Sequence, residues 1–134
     1  MQRRNFLTLS VLTFAGLSIP FSGCSTSDPQ LDKKLGLPGS LLQIFDQNTV
    51  NTIGKAYGNV YPNDYSTSTL EQQLKKTIGN DVSSNTPEKE INDALGKNVQ
   101  NDFERGNTIM LSGWILSVTE ARQCALFSLI DKNK

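Results

Sequence analysis

The first 24 residues constrain this chain most, because they separate a part that directs export from a part that folds. The chain opens on basic residues, continues through an apolar run, and reaches Cys24 immediately after Ser22 and Gly23. A basic start, an apolar middle and small residues before a cleavage point are typical of an export signal. Removal of residues 1–23 from the 134-residue chain leaves 111 residues, which predicts one small domain.

The apolar run is too short to remain as a membrane span. It covers the 14 residues from Phe6 to Ile19 and is interrupted by hydroxyl side chains and a glycine. A helix needs about 20 apolar residues to cross a bilayer. We therefore interpret residues 1–23 as a signal peptide.

The basic residues of this signal have a recognisable order. Arg3 and Arg4 are followed, after one residue, by Phe6 and Leu7. This order resembles a twin-arginine (Tat) signal. The resemblance implies that the protein is exported in the folded state. The general secretory route is the alternative, because its signals also carry basic residues.

The end of the signal resembles a bacterial lipoprotein cleavage box. Phe21 stands where the box prefers Leu, whereas Ser22, Gly23 and Cys24 fit it. The resemblance implies a lipid on Cys24 and attachment to the periplasmic side of a bacterial membrane. Ser25, where Asp would favour retention at the inner membrane, favours the outer membrane. Cleavage without a lipid is the alternative.

The mature chain divides by composition into a tether and a domain. Residues 24–39 are polar and contain Gly36, Pro38 and Gly39, which predicts a lipidated flexible tether. Residues 40–134 carry periodic apolar positions and are expected to form a single helical domain. After loss of Arg3 and Arg4 the chain has 11 basic and 13 acidic residues and no basic run, so we expect no nucleic-acid partner.

Helix signals recur through this domain. Residues 40–60 predict helix in two pieces, the second capped by Asp46, with Gly54 and Gly58 as weak points or close-packing positions. A capping box at Ser68–Glu71 predicts the start of another helix. A further helix is predicted from Thr86 to Gly106, with an apolar stripe of Ile91, Leu95, Val99 and Phe103. A second capping box at Ser117–Glu120 predicts the start of an apolar final helix.

One stretch has an extended pattern instead. Residues 108–116 predict at most one short strand or hairpin, with Gly113 as a bulge or bend. The sequence thus predicts a mainly α fold, a small orthogonal bundle of four to five helices.

Composition also limits the chemistry available to the chain. No histidine is present, which excludes His-based catalytic triads and dyads and His-ligated zinc or haem. Cys124 lies in an apolar helix and is interpreted as a core thiol. Asp102, Glu104 and Glu120 are interpreted as helix-end charges, with a paired acidic or cation site as the alternative. We expect no catalytic residue, no metal and no cofactor.

Aromatic side chains are the remaining candidates for a site. Trp114 is either a core anchor or an exposed contact, because tryptophan is favoured at the centre of interfaces. Tyr57 and Tyr61 are four residues apart and share a helical face, so they are either packed or face a ligand or partner. These three residues are the predicted partner contacts.

The C-terminal part provides a second resemblance. The segment from Asp102 to Leu126, with Gly113-Trp114-Ile115-Leu116 at its centre, is similar to the end of short bacterial Tat-signal proteins that have no assigned activity. More loosely, it resembles the small subunits of periplasmic membrane-bound dehydrogenases. That resemblance implies a non-catalytic, lipid-anchored accessory subunit of a larger exported oxidoreductase. A stand-alone envelope lipoprotein that binds a ligand or protein through an aromatic patch is the alternative.

Overall fold

The computed structural model describes residues 28–36 and 38–132. Within them the protein is mainly helical, with five α helices of seven residues or more and one short two-stranded antiparallel hairpin, which confirms the predicted fold class. The elements in chain order are α1 (Pro29–Leu35), the single turn α2 (Gly39–Leu42), α3 (Gln47–Val60), a 3-10 turn (Pro62–Asp64), α4 (Thr67–Ile78), α5 (Glu88–Arg105), β1 (Thr108–Leu111), β2 (Trp114–Ser117) and α6 (Val118–Lys132).

The final helix, α6, is the centre of the fold, as its apolar sequence predicts. It contacts α1, α3, α4, α5 and both strands, and its most extensive contact is with α3. Ala121, Cys124, Ala125 and Leu126 on this helix are completely buried. Because side chains around most of its circumference are covered, α6 serves as the common packing surface for the other helices.

Close approach between α3 and α6 depends on Gly54. A Cβ atom at this position would lie 2.2 Å from the backbone oxygen of Cys124 and 2.7 Å from the side chain of Ser128. No side chain fits at such distances, so glycine is required for the two backbones to meet here. Of the two interpretations of this glycine, close packing is correct.

Of the starts of α3 and α4, one is as predicted and the other is displaced. Asp46 caps α3 as predicted, with its carboxylate accepting from the Thr49 amide at 2.8 Å. The next helix is capped by Ser66 rather than by Ser68, so the predicted capping box at Ser68–Glu71 is wrong. Glu71 instead accepts a hydrogen bond from the Asp28 amide, 43 residues away, at 2.8 Å. A long-range contact therefore uses the side chain that the local motif would have used.

The helix predicted from Thr86 to Gly106 is present as α5, with two differences. Thr86 does not cap it, because its hydroxyl accepts from the Ser83 amide in the preceding loop. Gly106 ends it at φ 75°, in the left-handed conformation that favours glycine. The apolar stripe is buried at Ile91 and Leu95, but Phe103 is 47% exposed, so the stripe leaves the core before the helix ends.

The segment predicted as a flexible tether, residues 24–39, is partly folded. Leu31 and Leu35 of α1 are buried, and α1 packs on α4, α5 and α6. The Gln123 side chain donates to the Leu35 carbonyl at 3.0 Å, and the Lys34 ammonium donates to the carbonyls of Ser84 and Thr86 at 2.7 and 2.9 Å. The folded part therefore includes the described residues from Asp28 onward, rather than beginning near Ser40.

The sequence did not predict helix α1, because this segment is short and polar. It has seven residues, and an isolated helix of that length is not stable in water. Asp28 caps it by accepting from the amides of Gln30 and Leu31, with Pro29 at the first helical position. Its stability depends on burial of Leu31 and Leu35 against helices that lie far away in the chain.

Candidate functional site

The hairpin is a regular two-stranded ribbon closed by a two-residue turn. Met110 pairs with Ile115 and Leu111 pairs with Trp114 across the ribbon. Ser112 and Gly113 form the turn with φ values of 52° and 83°. Positive φ at both central residues matches the twist of the strands, which explains a glycine at this position. The bend predicted at Gly113 is thus the turn of the hairpin.

The two faces of the hairpin have different environments. Directly paired residues share a face, and consecutive residues alternate between faces. Leu111 and Leu116 lie on the inner face and are 2% and 3% exposed. Met110 and Ile115 lie on the outer face and are 66% and 62% exposed. The outer face therefore presents a pair of apolar side chains to solvent.

Trp114 is the exposed aromatic residue at the tip of the hairpin, and it lies on the face opposite to Met110 and Ile115. It lies on the inner-face side next to the turn, but it remains 46% exposed. Its ring packs on Phe45, with ring centroids 4.6 Å apart at a tilt of 57°. A tilted ring pair of this kind contributes about 0.5 to 1.5 kcal/mol beyond the burial of apolar area, so Phe45 favours this orientation of the indole. Trp114 is thus packed on one side and open to solvent on the other.

We name the exposed apolar side chains Met110, Trp114 and Ile115 the hairpin surface. Sequence reasoning selected Trp114 but missed Met110 and Ile115. Alternation along a hairpin was the signal that would have found them, because a two-residue turn at Ser112-Gly113 puts Met110 opposite Ile115. The prediction left strand, hairpin and connector open, so no face was assigned.

The two tyrosines predicted as partner contacts have different positions. Tyr57 is 3% exposed, so its prediction as a partner contact is wrong: it is a core residue. Tyr61 is 41% exposed and lies against Tyr57, with ring centroids 5.0 Å apart. Tyr65 shares a hydrogen bond of 2.8 Å with Ser128. The predicted aromatic face therefore leaves Tyr61 as its exposed member.

Cys124 is a buried free thiol on α6. Burial raises its pKa from 9.0 to about 12, and the nearby charge of Glu120 acts in the same direction. A thiol must ionise to act as a nucleophile or metal ligand, and burial disfavours the ionised form of Cys124. Its interpretation as a core residue is confirmed.

Asp102 and Glu120 join the end of α5, the hairpin and the start of α6. Asp102 accepts from the amide and the hydroxyl of Thr119, at 3.0 and 2.7 Å. Glu120 accepts from the Ser117 amide at 3.1 Å, and the Ser117 hydroxyl accepts from the Glu120 amide at 2.9 Å. The latter pair is the reciprocal capping box that the sequence predicts.

Asp102 and Glu120 form hydrogen bonds within the fold. Burial raises the pKa of Glu120 above its ordinary value of 4.5, against the lowering effect of its Ser117 hydrogen bonds. Glu104 is exposed. Within residues 28–36 and 38–132, no group of three or more side chains of the types Cys, Asp and Glu is arranged to hold a metal ion. Asp102 and Glu120 accept hydrogen bonds at the start of α6.

Three surface depressions are formed by the helices and their loops. Three depressions of about 270 to 320 Å³ are lined by side chains of α4, of α5 with its preceding loop, and of the α2–α5 contact. Neither tryptophan nor tyrosine contributes to any of the three.

The remaining predicted site residues, Arg3, Arg4, Phe6, Leu7 and Cys24, lie outside the described residues. Among the helices that are described, none combines the length and the apolarity that a bilayer crossing requires. Comparison of the chain with protein-family models, with curated proteins and with solved structures finds no match.

Proposed function

We propose that this protein is a non-catalytic, lipid-anchored accessory subunit of a larger exported oxidoreductase, bound to it through the hairpin surface. Arg3 and Arg4 supply the export signal, and Cys24 supplies the attachment to the periplasmic side of the membrane. The observation that carries the proposal is the exposure of Met110, Trp114 and Ile115 on the two faces of one hairpin. The protein itself needs no cofactor in this role.

The composition of the hairpin surface supports protein binding. Tryptophan and methionine are enriched at the cores of protein interfaces, whereas lysine and glutamate are depleted there. Here a half-exposed tryptophan packs on Phe45 on one face of the hairpin, and two exposed apolar side chains, Met110 and Ile115, lie on the other face. A preorganised aromatic anchor loses little conformational entropy on binding, which makes it a good hot spot.

The export route supports a partner of the proposed kind. A Tat signal carries folded proteins, and folding before export is needed when a cofactor is inserted in the cytoplasm. The described domain is small, and its two strongest chemical candidates, Cys124 and Glu120, are buried in structural roles. A cofactor-bearing partner explains why such a chain would use this route.

The direct test is purification of the tagged full chain from membranes solubilised with mild detergent. We expect a larger protein with a flavin or another redox cofactor to copurify in a fixed ratio, detected by its absorption spectrum and by mass spectrometry. Repeated isolation of the protein alone would favour the alternative, a stand-alone envelope lipoprotein.

A matched pair of variants connects this result to the hairpin surface. Trp114→Ala should reduce partner recovery by more than about tenfold, because truncation of an interface hot spot costs about 2 kcal/mol or more. Val60→Ala removes a similarly exposed apolar side chain, 56% exposed at the end of α3, and should leave recovery unchanged. Equal recovery with both variants would place the interface elsewhere.

The signal and the anchor have independent tests. Arg3→Lys together with Arg4→Lys should trap the precursor in the cytoplasm, whereas unchanged export would indicate the general secretory route. Cys24→Ala should abolish incorporation of radiolabelled palmitate and release the protein from membranes. Labelling that persists in this variant would overturn the assignment of Cys24.

A further inference from the structure

The attachment point of the fold is fixed close to the proposed lipid anchor. The Asp28 amide donates to Glu71 at 2.8 Å, and α1 begins at the next residue. Only four residue steps separate Cys24 from Asp28, and a chain spans at most about 3.6 Å per residue. A lipid on Cys24 would therefore hold Asp28 within about 14 Å of the membrane surface.

Helices α1 and α4 are the elements nearest to this attachment point. The start of α1 is bonded to Glu71 in the second turn of α4, and the two helices pack on each other. Toward its other end, Lys34 of α1 binds the carbonyls of Ser84 and Thr86 in the loop that follows α4. Both helices thus lead from the attachment point toward the same loop.

The charges that these two helices expose are all basic. Their acidic residues, Asp32 and Glu71, are buried at 3% and 8% exposure. The lysines lie in the last turn of each helix: Lys33 and Lys34 in α1, and Lys75 and Lys76 in α4. Asp28 directs its carboxylate at the first amides of α1, where it offsets the positive end of the helix.

The exposed acids lie mainly on a different element. Helix α5 carries Glu88, Glu90, Asp93 and Glu104 on its exposed positions, and one acidic residue, Asp81, is exposed in the loop after α4. The mature chain has a small net negative charge, and four of its eleven basic residues lie on α1 and α4. Seven helical residues rise about 10 Å, so the lysines of α1 lie about that far from Asp28.

We propose that the lysines exposed by α1 and α4, namely Lys33, Lys76 and the partly exposed Lys75, lie against an anionic lipid surface. Lysines beside anionic headgroups are attracted to them, and each contributes about fivefold to binding. The short connection to Cys24 keeps these lysines within reach of the headgroups. This inference rests on the lipid anchor of the proposed function and adds an orientation to it.

Lysine footprinting of the lipidated full chain tests this orientation without any substitution. The protein is reconstituted in vesicles of phosphatidylcholine with phosphatidylglycerol, in vesicles of phosphatidylcholine alone, and in detergent. An amine-acylating reagent is applied to each, and modification of each lysine is measured by mass spectrometry. Lys55 is the matched control, because it is exposed on α3, whose most extensive contact is with α6.

We expect acylation of Lys33, Lys75 and Lys76 to be slower in the anionic vesicles than in detergent by about fivefold. Protection should be smaller in the phosphatidylcholine vesicles, and Lys55 should change by less than about twofold. Equal protection of Lys55 and the three lysines, or protection of none, would overturn the inference.

Charge reversal separates the basic face from the anchor. Lys33→Glu with Lys76→Glu should return Lys75 to the acylation rate found in phosphatidylcholine vesicles, while Lys55→Glu leaves its protection intact. Unchanged protection of Lys75 in the double variant would contradict the electrostatic contact. Loss of the unsubstituted protein from all vesicles would overturn both this inference and the proposed lipid anchor on Cys24. Copurification of a partner in detergent does not depend on the outcome of these vesicle experiments.

Discussion

The contact between α3 and α6 and the hairpin surface are both rich in apolar residues, yet one is closed and the other is open. At the helix contact, Gly54 brings two backbones together and Cys124 and Ala125 are completely buried. On the hairpin, Met110 and Ile115 remain more than half exposed. The difference shows that apolarity alone does not decide burial, because burial also requires an opposing element.

The two regions also differ in what a substitution should change. The helix contact is an interior in which every atom has neighbours, so its variants should change the free energy of unfolding. On the hairpin surface, Met110 and Ile115 are more than half exposed and Trp114 packs on Phe45 on one side only, so substitutions here should change partner binding more than they change folding stability. Each of the following predictions tests one part of this contrast.

The largest change in the free energy of unfolding is expected for a substitution at the centre of the contact between α3 and α6. Gly54→Ala would place a Cβ atom 2.2 Å from the Cys124 carbonyl oxygen, and backbone atoms cannot move away without separating the helices. We expect the free energy of unfolding to fall by at least about 3 kcal/mol, although alanine favours the helical state by about 1 kcal/mol. Urea denaturation followed by circular dichroism measures this change.

Gly96 provides the matched control for this substitution. It lies in the interior of α5, and a Cβ atom there would have no heavy atom within 4 Å. Gly96→Ala should therefore raise the free energy of unfolding by about 0.5 to 1 kcal/mol through helix propensity and reduced freedom of the unfolded chain. A similar response of both glycines would contradict the close contact at Gly54.

The next effect separates two adjacent residues on opposite faces of the hairpin. Leu116→Ala removes a side chain that is 3% exposed and should lower the free energy of unfolding by about 2 kcal/mol. Ile115→Ala removes one that is 62% exposed and should change it by less than about 0.5 kcal/mol. Equal losses would show that the outer face of the hairpin is covered in the folded protein.

A smaller effect is expected where the hairpin joins α6. Ser117→Ala removes the hydroxyl that accepts from the Glu120 amide and should cost about 1 kcal/mol of folding stability. Thr108 pairs with Ser117 across the hairpin but is exposed, so Thr108→Ala is the control and should cost less than about 0.5 kcal/mol. Thermal denaturation of both variants at one pH compares them, and a loss at Thr108 as large as that at Ser117 would argue against the cap.

The smallest expected effect is a pH dependence of folding stability that arises where the hairpin joins α6. Burial raises the pKa of Glu120 above 4.5, so the folded state binds its proton more tightly than the unfolded chain does. The stabilisation from protonation is complete below pH 4.5 and is lost as pH rises through the folded pKa. Urea titrations upward from pH 4.5 should therefore show a decline that Glu120→Gln reduces, since glutamine retains the acceptor oxygen and does not ionise. An identical decline in the variant would exclude Glu120 as its source.

Local signals predicted most of the helices and the hairpin. Asp46 caps α3, Ser117 and Glu120 form the expected reciprocal box, and Gly106 ends α5 in the left-handed conformation. Each of these features depends on residues within about four positions of one another, so the sequence contains all the information needed. The predicted mainly α class followed from them.

The candidate site was less predictable because it depends on orientation rather than on residue type. Trp114 was identified as an aromatic candidate, but its partial exposure results from Phe45, which lies in a different element. Tyr57 and Tyr61 share a helical face, yet one is buried and the other is 41% exposed, because α3 meets the rest of the fold along part of that face. No pattern along the chain distinguishes these positions.

The sequence by itself determined the caps, the helix-ending glycines, the turn at Ser112-Gly113 and the apolar character of α6, because each results from short-range hydrogen bonding, backbone conformation or composition. Tertiary structure alone decided that α1 is part of the fold, since Leu31 and Leu35 become buried only against α4, α5 and α6. It also decided that Gly54, unlike Gly96, tolerates no side chain. Burial is a property of surfaces brought together from distant parts of the chain, and only the assembled helices define those surfaces.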